Sequence, residues 1–108
     1  MGTAHDEETD QHTCMATYTL NPGAEAAFTG ILEKHWQTLR TLDLVEDVPP
    51  QIFRQSDDDG IVTFVEIFTW KPGAVRRAHQ HPEVAATWEG MEKLLSKMRF
   101  PHYARWSA

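Results

Sequence analysis

The chain of 108 residues has the length of one domain, and its 41% hydrophobic and 24% charged residues are ordinary for a globular protein. A net charge of −6 argues against a broad phosphate-binding surface, so nucleic acid is not an expected partner. Cys14 is the one cysteine, which excludes an intrachain disulfide. No apolar run reaches membrane-spanning length, so no membrane partner is expected and the cytoplasm is the expected location.

Residues 1–12 are polar and carry Asp6, Glu7, Glu8 and Asp10 without a base, which reads as a flexible acidic tail ahead of a single domain over 13–108. Thr13 to Leu20 is short and rich in β-formers, a first strand. Asn21-Pro22-Gly23 breaks it, with Asn21 a candidate helix cap. Ala24, Ala27, Phe28, Ile31, Leu32, His35, Leu39 and Leu42 then recur at helical spacing, an amphipathic helix of about five turns.

Asp43 to Pro50 is a connector, and Pro49-Pro50 favours an extended entry to a second strand over 51–56. Asp57-Asp58-Asp59-Gly60 is a hairpin turn. Ile61 to Trp70, nearly all β-branched or aromatic, is the strongest strand in the chain, and it is apolar on both faces. Ala74 to Gln80 suits a short helix. Pro82 opens another, expected to run to about Lys97 on the stripe Val84, Thr87, Trp88, Met91, Leu94, Leu95 and Met98. Arg99 to Trp106 is the expected last strand, with Pro101 marking an edge or bulge.

The order β-α-β-β-α-β is the split βαβ arrangement of an α+β ferredoxin-like sandwich, with helices on one face of a four-stranded sheet. The apolar outer side of the third strand then calls for cover. A second copy packed sheet to sheet, a homodimer, is the expected partner.

Three segments carry a resemblance: Tyr18-Thr19-Leu20-Asn21-Pro22-Gly23, Phe64 to Trp70, and His81-Pro82-Glu83-Val84. In order and without large insertions, residues 13–106 resemble the antibiotic biosynthesis monooxygenase-like domains of the dimeric α/β-barrel superfamily. That resemblance implies a pocket in each subunit between sheet and helices. The activities it implies include cofactor-independent oxygenation of polycyclic phenols, haem degradation and small isomerisations. Trp70-Lys71 matches the tryptophan and charged residue of the haem-degrading members. Their first-strand asparagine and last-helix histidine fall on Ala16 and Glu89, so haem degradation is not expected.

Glu66 is the sharpest single feature, because it interrupts an apolar strand face shared with Phe64, Phe68 and Trp70. A carboxylate there is costly unless paired or protonated. It reads either as a general base or acid with a perturbed titration, or as a glutamate satisfied by a nearby His, Tyr or Arg or sitting at the dimer interface. His79 and His81 are candidates to stabilise an enolate. A metal between them is disfavoured, because residues two apart on a helix point in different directions. Tyr18, Phe64, Phe68, Trp70, Trp88 and His102 are the candidate substrate contacts, although Tyr18 and Trp88 also suit a packed core and His102 an edge strand. No phosphate loop, dinucleotide fingerprint or nucleophile elbow occurs, so neither a cofactor nor a metal is expected.

The expected activity is cofactor-independent oxygenation of a small, flat, largely apolar or aromatic phenol. Glu66 would take or relay its proton, His79 or His81 would steady the enolate, and Trp70, Phe68 and Trp88 would hold the ring. A non-catalytic small-molecule-binding protein with the same pocket, or an isomerase, is the alternative.

Overall fold

In the computed structural model, residues 12–106 are described. The expected tail lies outside the described residues except for His12, whose carbonyl accepts a hydrogen bond from the Trp70 amide (2.9 Å). Strand β1, Thr13–Leu20, alternates in burial along its whole length and turns Cys14, Ala16, Tyr18 and Leu20 inward. At Asn21–Gly23 the chain reverses, with Gly23 at φ +78°, a conformation glycine adopts without a Cβ penalty.

Helix α1 follows over Glu25–Thr41, and Ala24 occupies its N-cap without a side-chain cap. Asn21 is therefore not the cap that the sequence suggests. Its carbonyl closes a turn onto the Ala24 amide (3.1 Å), and Pro22-Gly23 carry the chain onward before helical geometry begins. The helix buries Phe28, Leu32, His35 and Leu39 of the stripe expected from its periodicity, adds Trp36 beside them, and leaves Ala27 exposed.

Strand β2, Gln51–Ser56, is exposed throughout and forms a sheet edge. The hairpin after it is closed by Asp57, whose Oδ1 accepts from the Asp59 and Ile61 amides, both at 2.9 Å. Strand β3, Val62–Thr69, turns Phe64, Glu66 and Phe68 inward. Trp70 continues it only as an isolated bridge to Val45. Two helices come next, α2 over Ala74–Ala78 and α3 over Pro82–Glu92.

Helix α3 stops at Glu92 rather than near Lys97, and the chain enters strand β4, Leu95–Arg99. This corrects the expected boundary. Leu94, Leu95 and Met98 fit a helical stripe, yet the free edge of β1 needs backbone partners, and Thr17, Tyr18 and Thr19 find them at Arg99, Met98 and Lys97. The expected last strand is split accordingly. Strand β5, His102–Tyr103, pairs with Cys14 and Thr13, and the Pro101 carbonyl between the two pieces accepts from the Met15 amide (3.0 Å). Proline thus sits where no amide is needed.

The sheet order is β2-β3-β1-β4, with every neighbouring pair antiparallel, as a ferredoxin-like α+β sandwich requires. Inward residues of β1 and β3 join the buried sides of α1 and α3 in one core. Among the described residues, no helix covers the opposite face. Met15, Val65 and Ile67 are half-buried on it, and Phe53 is 57% exposed.

Candidate functional site

Polar chemistry is concentrated in the middle of that core. Glu66 is completely buried, and its Oε1 accepts from the Tyr18 hydroxyl at 2.7 Å and meets His35 Nδ1 at 2.8 Å. The other imidazole nitrogen, Nε2, accepts from the Trp88 indole N–H at 2.9 Å. An indole nitrogen can only donate. His35 Nε2 must therefore present a lone pair, which places the ring proton on Nδ1 and aims it at the carboxylate. The result is a chain across four elements: Tyr18 on β1, Glu66 on β3, His35 on α1 and Trp88 on α3.

Aromatic packing holds this chain in place. The Tyr18 ring lies 5.1 Å from Phe28 and 6.0 Å from Phe100. Phe68 meets the His35 ring edge-on at 5.9 Å and Trp70 at 5.1 Å. Burial first, then the neighbouring Glu66 charge, raises the Tyr18 phenol well above its ordinary range. The same two causes, in the same order, push the Cys14 thiol up to about 12. Both groups stay protonated at neutral pH, and Cys14 is not an activated nucleophile. Glu66 Oε2 has no hydrogen-bond partner among the described residues.

A cavity of about 430 Å³ adjoins the outer end of the chain. Its walls include Trp70, Trp88 and Phe100, with His79, His102 and Glu89 among the polar groups that reach it. The Trp88 ring is central here. It lies 5.2 Å from the His79 ring, 5.5 Å from Phe100 and 6.5 Å from Trp70, while its N–H points away to His35. A second, more polar cavity of about 470 Å³ lies at the other end of β3, beside the hairpin, where Arg54 pairs with Glu25 at 2.6 Å.

The candidates named from sequence thus separate into two sets. Trp70, Trp88, His79 and His102 line the first cavity. Tyr18, Phe64, Phe68 and Glu66 are buried behind it, and none of them lines either cavity. Phe64 packs against Phe28 at 5.6 Å. His81 stands apart at the start of α3, where its Nδ1 lies 3.9 Å from Glu83 Oε1. Among the described residues, no group of three or more His, Cys, Asp and Glu side chains is placed to hold a metal ion.

Sequence reasoning missed His35 as a site residue. Its one signal was a titratable ring on an otherwise apolar helix stripe. Its partners lie in two distant segments, β3 and α3, which a single sequence does not connect.

No family model and no curated protein matches the sequence. Solved structures do match. The chain is similar to SnoaB, a cofactor-independent oxygenase from Streptomyces nogalater, at 18% identity, covering 92% of this chain and 96% of that one with a TM-score of 0.67. A Pseudomonas aeruginosa protein matches at 19% identity over 91% and 96% of the two chains, TM-score 0.68. An antibiotic biosynthesis monooxygenase matches at 12% identity over 88% and 98%, TM-score 0.66. At these identities the likeness is one of fold: the chain has the fold of the antibiotic biosynthesis monooxygenase-like proteins. No described helix is long and apolar enough to cross a membrane.

Proposed function

We propose that the protein is a small oxygenase that needs no cofactor and acts on a flat phenol or enol held in the cavity beside Trp70 and Trp88. The observation that carries this reading is the aromatic wall itself. Trp70, Trp88 and Phe100 line an open cavity of about 430 Å³ with a titratable ring, His79, in the same wall. That volume lies within the range of ordinary small-molecule pockets, and apolar walls with a few polar groups are their usual construction.

In this reading His79 takes the acidic proton of the substrate, because its ring lines the cavity 5.2 Å from that of Trp88. The resulting anion passes an electron to dioxygen, and the two radicals combine to a peroxide. Loss of water then leaves a carbonyl, so CH2 plus O2 becomes C=O plus H2O. The protein supplies a base, orientation and exclusion of water. Glu66 acts from behind the wall, through His35 and Trp88. A second copy covers the open sheet face, where Phe53, Val65, Ile67 and Met15 present apolar surface. The shared fold with a cofactor-independent oxygenase supports the reading.

Oxygen uptake by metal-stripped protein against anthrones, quinols and polycyclic phenols tests it. Uptake by the wild type that H79Q reduces by about a hundredfold or more is expected of a lost general base. Uptake that H79Q leaves unchanged would remove the assigned base, and absence of uptake with every substrate would remove the oxygenase.

Glu66 favours a second reading. Its carboxylate is held by Tyr18 and His35 and does not line the cavity, an arrangement equally suited to a protein that binds such a molecule without changing it. Saturable quenching of tryptophan emission by anthrone, without oxygen uptake, is the outcome expected of that reading.

A further inference from the structure

We propose that His35 is a positioning residue: as a neutral imidazole with its proton on Nδ1, it fixes the Trp88 wall of the cavity and releases it when the ring takes a second proton. This rests on the reading of that cavity as the substrate's. The direction of two hydrogen bonds fixes the ring's state. Trp88 donates to Nε2 at 2.9 Å, and Nδ1 faces a carboxylate oxygen at 2.8 Å. Only one tautomer of the neutral ring satisfies both. In the imidazolium form Nε2 also carries hydrogen, two donors would face each other, and the bond to Trp88 cannot persist.

His35 is 1% exposed, so water cannot readily replace the lost acceptor. The groups facing His35 come from every packed element. Glu66 and Phe68 approach from β3, with Tyr18 and Cys14 of β1 behind the carboxylate, and Trp88 approaches from α3. At the end of α2 the His79 ring lies 5.2 Å from that of Trp88. Trp88 is thus held by a hydrogen bond within the core and by ring contact at the cavity wall. His35 sets the plane on which an aromatic substrate would lie, and does so without touching the substrate.

Nitrogen NMR on the intact protein tests this without any substrate. Long-range correlation spectra of the imidazoles should show His35 with a protonated Nδ1 and a bare Nε2 near neutral pH. The Trp88 indole N–H signal, assigned through W88F, should shift on titration from about pH 9 to about pH 4. In H35Q the amide oxygen can accept from Trp88 and cannot titrate, so that shift should vanish. Binding of anthrone should weaken by about three- to tenfold in H35L and be largely restored in H35Q.

A proton on Nε2 in the wild type, a Trp88 signal that ignores pH, or an equal shift in H35Q (which would assign it to His79) overturns the proposal. Should H35Q fail to fold, the wild-type tautomer decides alone. Absence of oxygen uptake with the NMR results intact would overturn the oxygenase reading and leave the positioning of Trp88 standing.

Discussion

Two protons that the fold keeps in place, on Tyr18 and Cys14, make the protein sensitive to alkali. Both groups bind a proton more tightly folded than unfolded. Their contribution is complete below the unfolded values, near 9 for the thiol and 10 for the phenol, and is lost as pH rises toward the folded ones. For Cys14 the window runs from about 9 to about 12, at about 1.4 kcal/mol for each pH unit. Urea melts at stepwise pH should therefore show stability falling above about pH 9, and C14A should fall less steeply between about 9 and 10. Y18F removes a donor from a buried carboxylate and should cost about 1–3 kcal/mol in the same melts at neutral pH. At this scale the sequence was half legible. Glu66 announced itself by breaking an apolar face. His35 did not, because a helix stripe containing Phe28, Leu32 and Leu39 absorbs one ring of similar bulk without a local contradiction.

Among the elements, the reading succeeded where a boundary has local chemistry and failed where two periods coincide. Strands β1 and β2 and the Asp-Gly hairpin carry their own limits in β-formers, prolines and turn residues. The end of α3 has none. Leu94, Leu95 and Met98 satisfy a helical repeat, while Met98 and Phe100 alternate with Arg99 as a strand would, and the demand of β1 for backbone partners settles the contest. Helix α1 is anchored through one ring. Phe28 is wholly buried between Tyr18 and Phe64, and F28A should cost about 3–5 kcal/mol of unfolding free energy in urea melts. At Gly60, φ is +79° with open space where a Cβ would stand. G60A should cost only the backbone term, about 1 kcal/mol.

For the whole molecule, the helix-free sheet face is the feature to test. We propose that a second copy occupies it, as the apolar outer side of β3 led us to expect. Sedimentation equilibrium should then give twice the 12.4 kDa of one chain. I67K, placing a charge at the middle of that face, should return the single mass with little change in the cavity on the other side. A wild type that sediments at the single mass would remove the dimer.

The position of β1 has a temporal consequence. It precedes the other described strands and lies inside the sheet, yet Thr13 pairs with Thr69 and Thr17 with Arg99. Its two flanks are supplied by β3 and β4, far along the sequence. A chain emerging from the ribosome therefore holds β1 unpaired until β3 has followed it. Refolding must close a long loop between β1 and β3 before the sheet has a centre. This ordering should slow folding relative to a helical bundle of the same size, and it leaves β1 exposed to misassociation until β3 arrives.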